Sequence, residues 1–135
     1  MKKSFTTSAG FKSLTLQSDP SKWTFQFVGD VYASANGFWR IFHKQKLVYV
    51  SMDQGHTFGL PKPEDLVGEL NALLIGQILQ SIDVHAGSGD LVLNLSGNYR
   101  IELFVTSMGF ETTEFSIGGK RYIGQGGGNY LVADA

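Results

Sequence analysis

Three histidines, His43, His56 and His85, are the side chains in this chain best suited to hold a metal or move a proton. A metal site wants two or three of them converging with a carboxylate. Two pairings occur at short spacing: Asp53 with His56, three apart, and Asp83 with His85, two apart. On a strand, a spacing of two puts both side chains on one face, so Asp83 and His85 can share a site. Such pairs are common by chance, and the plainer reading puts His43 and His85 on strand surfaces and His56 in a loop. No metal ion or cofactor is therefore assigned. Asp53, His56, Asp83 and His85 are kept as the residues that would serve a ligand or catalytic site.

The carboxylates add little. Glu111 and Glu114 are three apart, which on a strand turns them to opposite faces, a poor arrangement for paired acid–base work. Asp90 and Glu102 have no obvious partner. No Gly-x-Ser-x-Gly elbow presents a serine nucleophile. The run Gly124-Gln-Gly-Gly-Gly128 invites a phosphate reading, because amides in glycine loops cradle anions. A phosphate loop, however, opens a helix and carries Lys-Ser/Thr. Here Asn129-Tyr-Leu-Val132 follows, which reads as a strand, so the run is expected to be a turn or bulge. These patterns disfavour an enzyme.

Binding residues are better represented. Phe38, Trp39, Phe42 and Tyr49 fall on two neighbouring predicted strands, and alternation turns some of them away from the core. Exposed aromatics beside an arginine would mark a partner surface, for which Phe38, Trp39, Arg40 and Tyr49 are the candidates. The alternative is a core on both sides of that strand. A buried Arg40 would need a carboxylate, and Glu114 is the expected partner.

Composition narrows the partner. Net charge is −1, without the basic stripe that phosphate neutralisation requires, so neither nucleic acid nor a membrane surface is expected. The absence of cysteine removes disulfides and thiolate zinc sites and suits a reducing compartment. The first ten residues lack the apolar core of a signal peptide, and Leu73-Leu74-Ile75 is far too short to span a bilayer. A cytoplasmic protein is expected; a protein partner could be a second copy of the chain, since an open sheet edge would make a homodimer.

The elements that must position these residues are mainly strands. Residues 1–10 read as a frayed end, and Phe11, Leu14 and Leu16 as a short first strand ending at Ser18-Asp19-Pro20-Ser21. Trp23, Phe25 and Phe27 alternate with polar residues, as do Val31, Ala33 and Ala35. For the two sets to share a face the loop must be odd, so Val28-Gly29-Asp30 should set Phe27 opposite Val31. By the same rule Ser96-Gly97-Asn98 should set Leu95 opposite Tyr99. Phe38–His43 and Leu47–Val50 form a further pair around Lys44-Gln45-Lys46. One helix is expected over about 62–75, opened by Pro61-Lys-Pro-Glu-Asp65, with Leu66, Leu70, Leu73 and Leu74 on one face and Gly76 as its stop.

The hairpins match each other at a shift of 68: Phe27 with Leu95, Gly29 with Gly97, Asp30 with Asn98, Val31 with Tyr99. Arg40-Ile41 then aligns with Glu114-Phe115, and Lys46–Tyr49 with Lys120–Ile123. The expectation is one domain over 1–135, of α+β class and mainly antiparallel β. It contains half-repeats at about 12–60 and 76–133, two β-meanders curled into a sheet, sandwich or open barrel.

The stretch from Asp90-Leu-Val-Leu-Asn-Leu95 through Gly109-Phe-Glu-Thr-Thr113 to the glycine run resembles a family of small uncharacterised bacterial proteins, some of them immunity-protein-like. It covers about the last 60 residues. Thr113 stands where that family tends to have Trp. The resemblance implies a non-catalytic protein-binding domain, of immunity or accessory type, whose partner would be a toxin, and supplies no catalytic residues. The alternative is a small-ligand-binding protein or enzyme with a cavity between the half-repeats.

Overall fold

The computed structural model describes residues 2–18, 21–108, 112–126 and 129–134. They form eleven antiparallel strands in one sheet and a single α-helix, and the sheet is not closed into a barrel. The strands are β1 (Lys2–Gln17), β2 (Lys22–Phe27), β3 (Val31–Ala35), β4 (Trp39–His43), β5 (Lys46–Val50), β6 (Ile78–His85), β7 (Leu91–Leu95), β8 (Tyr99–Leu103), β9 (Thr113–Ile117), β10 (Lys120–Gly126) and β11 (Asn129–Asp134). The helix, α1, is Leu66–Leu74. Among the described residues no helix is long and apolar enough to cross a membrane.

The N-terminal segment corrects the expectation of a frayed end. Lys2–Gln17 is one 16-residue strand at the middle of the sheet. Its first part pairs with β6, from Lys2 opposite His85 to Gly10 opposite Ile78, and its second with β2, from Phe11 opposite Phe27 to Gln17 opposite Lys22. The Ser/Thr-rich start looked unstructured because only Phe5 and Ala9 there face the core. Phe5 meets Phe115 at 5.4 Å and Tyr122 at 4.9 Å.

Two wings extend from β1. One runs β6-β7-β8-β4-β5 and the other β2-β3-β9-β10-β11. The unbroken meanders expected from sequence are absent from this order. β3 lies beside β9, not β4, and β8 lies beside β4. Each central hairpin is thus extended by a hairpin from the other half of the chain. The local registers follow the loop argument, with Phe27 opposite Val31 and Leu95 opposite Tyr99. Gly97, at φ +72°, followed by Asn98, at φ +61°, turns the second loop, a backbone that glycine and asparagine tolerate best.

The wings fold toward each other and share a core. Trp39 of β4 meets Trp23 and Phe25 of β2 edge to face at 5.1 and 5.5 Å. Phe25, Phe27, Ile41, Leu93, Ile101 and Phe115 fill the space around them, all nearly inaccessible. Ring pairs at this separation add about 0.5–1.5 kcal/mol to the burial itself.

The helix begins four residues later than expected. Gly55 donates to the Glu64 carbonyl and Glu64 donates to that of His56, which holds residue 64 out of the helix. Asp65 is the N-cap and accepts from the Gly68 N–H at 3.1 Å. Leu66, Leu70 and Leu74 are buried, and Asn71 clamps β1, accepting from the Leu14 N–H and donating to the Leu14 carbonyl. Gly76, at φ +85°, follows the helix as anticipated.

Candidate functional site

Alternation along β8 and β4 divides their side chains cleanly. Ile101, Leu103, Trp39 and Ile41 point inward and are fully buried. Arg100, Glu102 and Phe104 point outward, as do Phe38, Arg40 and Phe42. The antiparallel register sets Arg40 opposite Glu102 and Phe42 opposite Arg100, and Phe104 donates its N–H to the Phe38 carbonyl. The result is a ladder of three cross-strand pairs on the outer face of one wing.

Its geometry is charged and aromatic at once. Arg40 donates Nε to Glu102 at 2.7 Å, and its guanidinium lies 5.1 Å from the Phe42 ring and 5.2 Å from that of Phe104. The Arg100 guanidinium stands 4.3 Å above Phe42. Its Nε is 3.2 Å from Glu102 but lacks the alignment of a hydrogen bond. One carboxylate thus serves two arginines and leaves a net positive charge. Phe38 is 45% exposed and Leu47, at the rim on β5, 49%.

Of the four surface candidates, Phe38 and Arg40 lie on this face. Trp39 does not: it is 0% exposed and belongs to the core. Tyr49 is half-buried and lies opposite Ile41, on the inner side of the sheet. Glu114 is not the partner of Arg40. It accepts instead from Tyr32 and Arg121 on the other wing. Phe42, Arg100, Glu102 and Phe104 were missed as a group, because only the β4–β8 pairing, between residues 56 to 64 apart in sequence, assembles them.

The alternative site residues are scattered. Asp53 ends a short 3-10 helix, and the exposed His56 stacks loosely on Phe58 at 5.5 Å. Asp83 is buried on β6 and accepts from Ser4 Oγ at 2.6 Å and from the Asn94 amide at 3.1 Å. His85 is exposed, with Nδ1 3.2 Å from the backbone N and Oγ of Ser88 in the following turn. Among the described residues no group of three His, Cys, Asp or Glu could hold a metal ion. Glu111, Gly127 and Gly128 lie outside the described residues, and so do Asp19, Pro20, Gly109 and Phe110.

Two concavities flank the β4–β5 turn. One, of about 480 Å³, is bordered by His43, Tyr49, Glu64, Glu69 and Tyr99. His43 stacks on Tyr99 at 4.2 Å there. Desolvation and the neighbouring Glu64 raise the Glu69 pKa, and desolvation followed by the charges of Glu69 and Glu64 raises that of Tyr49. The other, of about 450 Å³, opens beside the arginine ladder and is bordered by Phe42, Lys44, Gln45, Gln80, Asn98 and Arg100 among others. No family model, curated protein or solved structure matches this chain.

Proposed function

We propose that this chain is a non-catalytic protein-binding domain, a cytoplasmic bacterial protein of immunity or other accessory type, and that the outer face of β4 and β8 is its contact surface. The observation that carries the reading is the ladder of Arg40, Phe42, Arg100 and Phe104 around the single carboxylate of Glu102. Arginine and aromatic residues dominate interface energetics because they offer large contact area with directed donors. Here Glu102 and the Phe42 and Phe104 rings already hold the two guanidiniums, so less side-chain freedom is lost on binding. The space between the wings is occupied by Trp23, Phe25 and Trp39, which favours a surface over an internal ligand cavity.

The partner is a toxin encoded nearby or a second copy of the chain. Co-expression with the product of the adjacent gene, and light scattering of the chain alone, separate the two. Loss of both Arg40 and Phe104 side chains to alanine should weaken either complex by roughly 30-fold or more, the effect of one hot spot. Lys12→Ala with Lys22→Ala, on β1 and β2 away from this face, should leave it unchanged. A complex indifferent to Arg40 and Phe104 would sink the assignment of this face.

We also infer that the wings arose by duplication. Positions 23 and 91, 27 and 95, 31 and 99, and 35 and 103 correspond at a constant shift of 68, and each pair takes part in the same hairpin contact: Trp23 with Ala35 as Leu91 with Leu103. The added hairpins correspond at a shift of 74, with Ile41 facing Ile101 as Phe115 faces Ala33.

A further inference from the structure

The two added hairpins turn in the same backbone conformation but with different residues. In the β9–β10 turn Gly118 and Gly119 take φ of +63° and +78°. In the β4–β5 turn the corresponding residues are Lys44 and Gln45, at φ +51° and +67°. A two-residue turn with both φ positive suits glycine and costs a residue with a side chain. Two adjacent non-glycine residues held there are a local strain of the kind that accumulates at functional sites. What the strain achieves is placement: Lys44 and Gln45 border the 450 Å³ concavity beside the arginine ladder.

The border of that concavity is one-sided in charge. It holds Lys44 and Arg100 and no carboxylate. Among the described residues, the side chains of Lys44, Gln45, Gln80 and Asn98 make no hydrogen bond or ion pair. Phe42 forms an apolar wall under Arg100. Asn98 is fixed to the strained turn, because its carbonyl accepts from the Lys44 N–H at 3.0 Å. Unengaged donors around a half-apolar hollow suit a carboxylate on a short aliphatic stem. The neighbouring concavity, bordered by Glu64 and Glu69, would repel such a group.

We propose that this concavity receives an aspartate or glutamate side chain of the protein partner, with Lys44 and Arg100 as its cationic contacts and the Gln80 and Asn98 amides as further donors. It rests on the reading of the adjacent ladder as a contact surface, and names the partner's chemistry.

The test titrates the whole protein with glutarate, its uncharged analogue glutaramide and inorganic phosphate, following the side-chain amide signals of Gln45, Gln80 and Asn98 by NMR. Glutarate should shift them saturably in the millimolar range and glutaramide should not. Lys44→Gly with Gln45→Gly should fold and bind glutarate at least tenfold more weakly, as should Arg100→Gln. An absent response to glutarate, or an equal response to glutaramide, overturns the site, and phosphate saturating more tightly than glutarate overturns the acidic side chain as its occupant. In the complex, Lys44→Glu should weaken affinity at least tenfold. If glutarate binds and Lys44→Glu leaves the complex intact, the pocket stands and its assignment to the partner fails. If the complex ignores Arg40 and Phe104 yet responds to Lys44→Glu, the ladder reading alone fails.

Discussion

Replacing Lys44 and Gln45 together by glycine should make this protein more stable while removing part of a surface site. Both residues hold positive φ, at +51° and +67°, and both are exposed, so their truncation removes no core contact. The left-handed conformation costs a residue with a Cβ about 1–2 kcal/mol. Glycine relieves that cost, but its freer unfolded chain gives back about 0.5–1 kcal/mol per position. The net gain is about 1–2 kcal/mol for the pair. The Lys44 N–H that reaches the Asn98 carbonyl survives the change, so the turn keeps its tie to the neighbouring loop. For a chain of this length the gain corresponds to a rise in melting temperature of about 3–8 °C. Urea unfolding followed by fluorescence of the buried Trp23 and Trp39 gives the free energy directly. The denaturant slope should be unchanged, since the surface exposed on unfolding is the same. A variant equally or less stable at constant slope would show that the turn is not strained, and the reason for regarding its residues as retained for binding would be lost.

Two further outcomes are expected. Gly97→Ala should destabilise by about 1–3 kcal/mol, because alanine there is both strained at φ +72° and only 2.8 Å from the Gln77 Oε1, and urea unfolding should show it. The partly buried Tyr130, whose hydroxyl donates to the Gly89 carbonyl at 2.5 Å, has its pKa pushed up to about 12 from 10.0, chiefly by desolvation. The folded state therefore holds the phenolic proton more tightly than the unfolded one. That stability is fully present below pH 10 and is lost as pH rises from about 10 toward 12. Tyr130→Phe should lose about 1 kcal/mol at neutral pH through the missing hydrogen bond, and should show a shallower alkaline decline in melting temperature. An alkaline limb identical to that of the parent would exclude Tyr130 as its source.

The candidate surface was half legible. Alternation in Tyr99-Arg-Ile-Glu-Leu-Phe104 already places Arg100, Glu102 and Phe104 on one side, and Phe38, Arg40 and Phe42 share a side by the same rule. What alternation leaves open is which side is buried. Trp39 looked like a surface aromatic because it neighbours Phe38 and Arg40; strand geometry sends it the other way, into Trp23 and Phe25. The pairing of Arg40 with Glu102 in place of Glu114 has a related cause. Hairpin correspondence relates Arg40 to Glu114 as equivalent positions, whereas the sheet brings together residues that face each other across neighbouring strands.

Residues close in sequence determined their own geometry. The odd loops at Gly29 and Gly97 set the hairpin registers, because a one-residue slip would turn every apolar side chain to the wrong face. The leucine spacing and Gly76 marked the helix. The destination of each hairpin was decided only in three dimensions. β4–β5 adds to β8, and β9–β10 adds to β3, though the chain reaches β4 directly after β3 and β9 next after β8. Turn residues fix how two strands meet but carry no information about which sheet edge the pair extends. That choice follows from burying Trp39 against Trp23 and Phe25, and Phe115 against Phe5, contacts between strands distant in sequence that no local pattern encodes. The arginine ladder and the hollow beside it are products of that exchange.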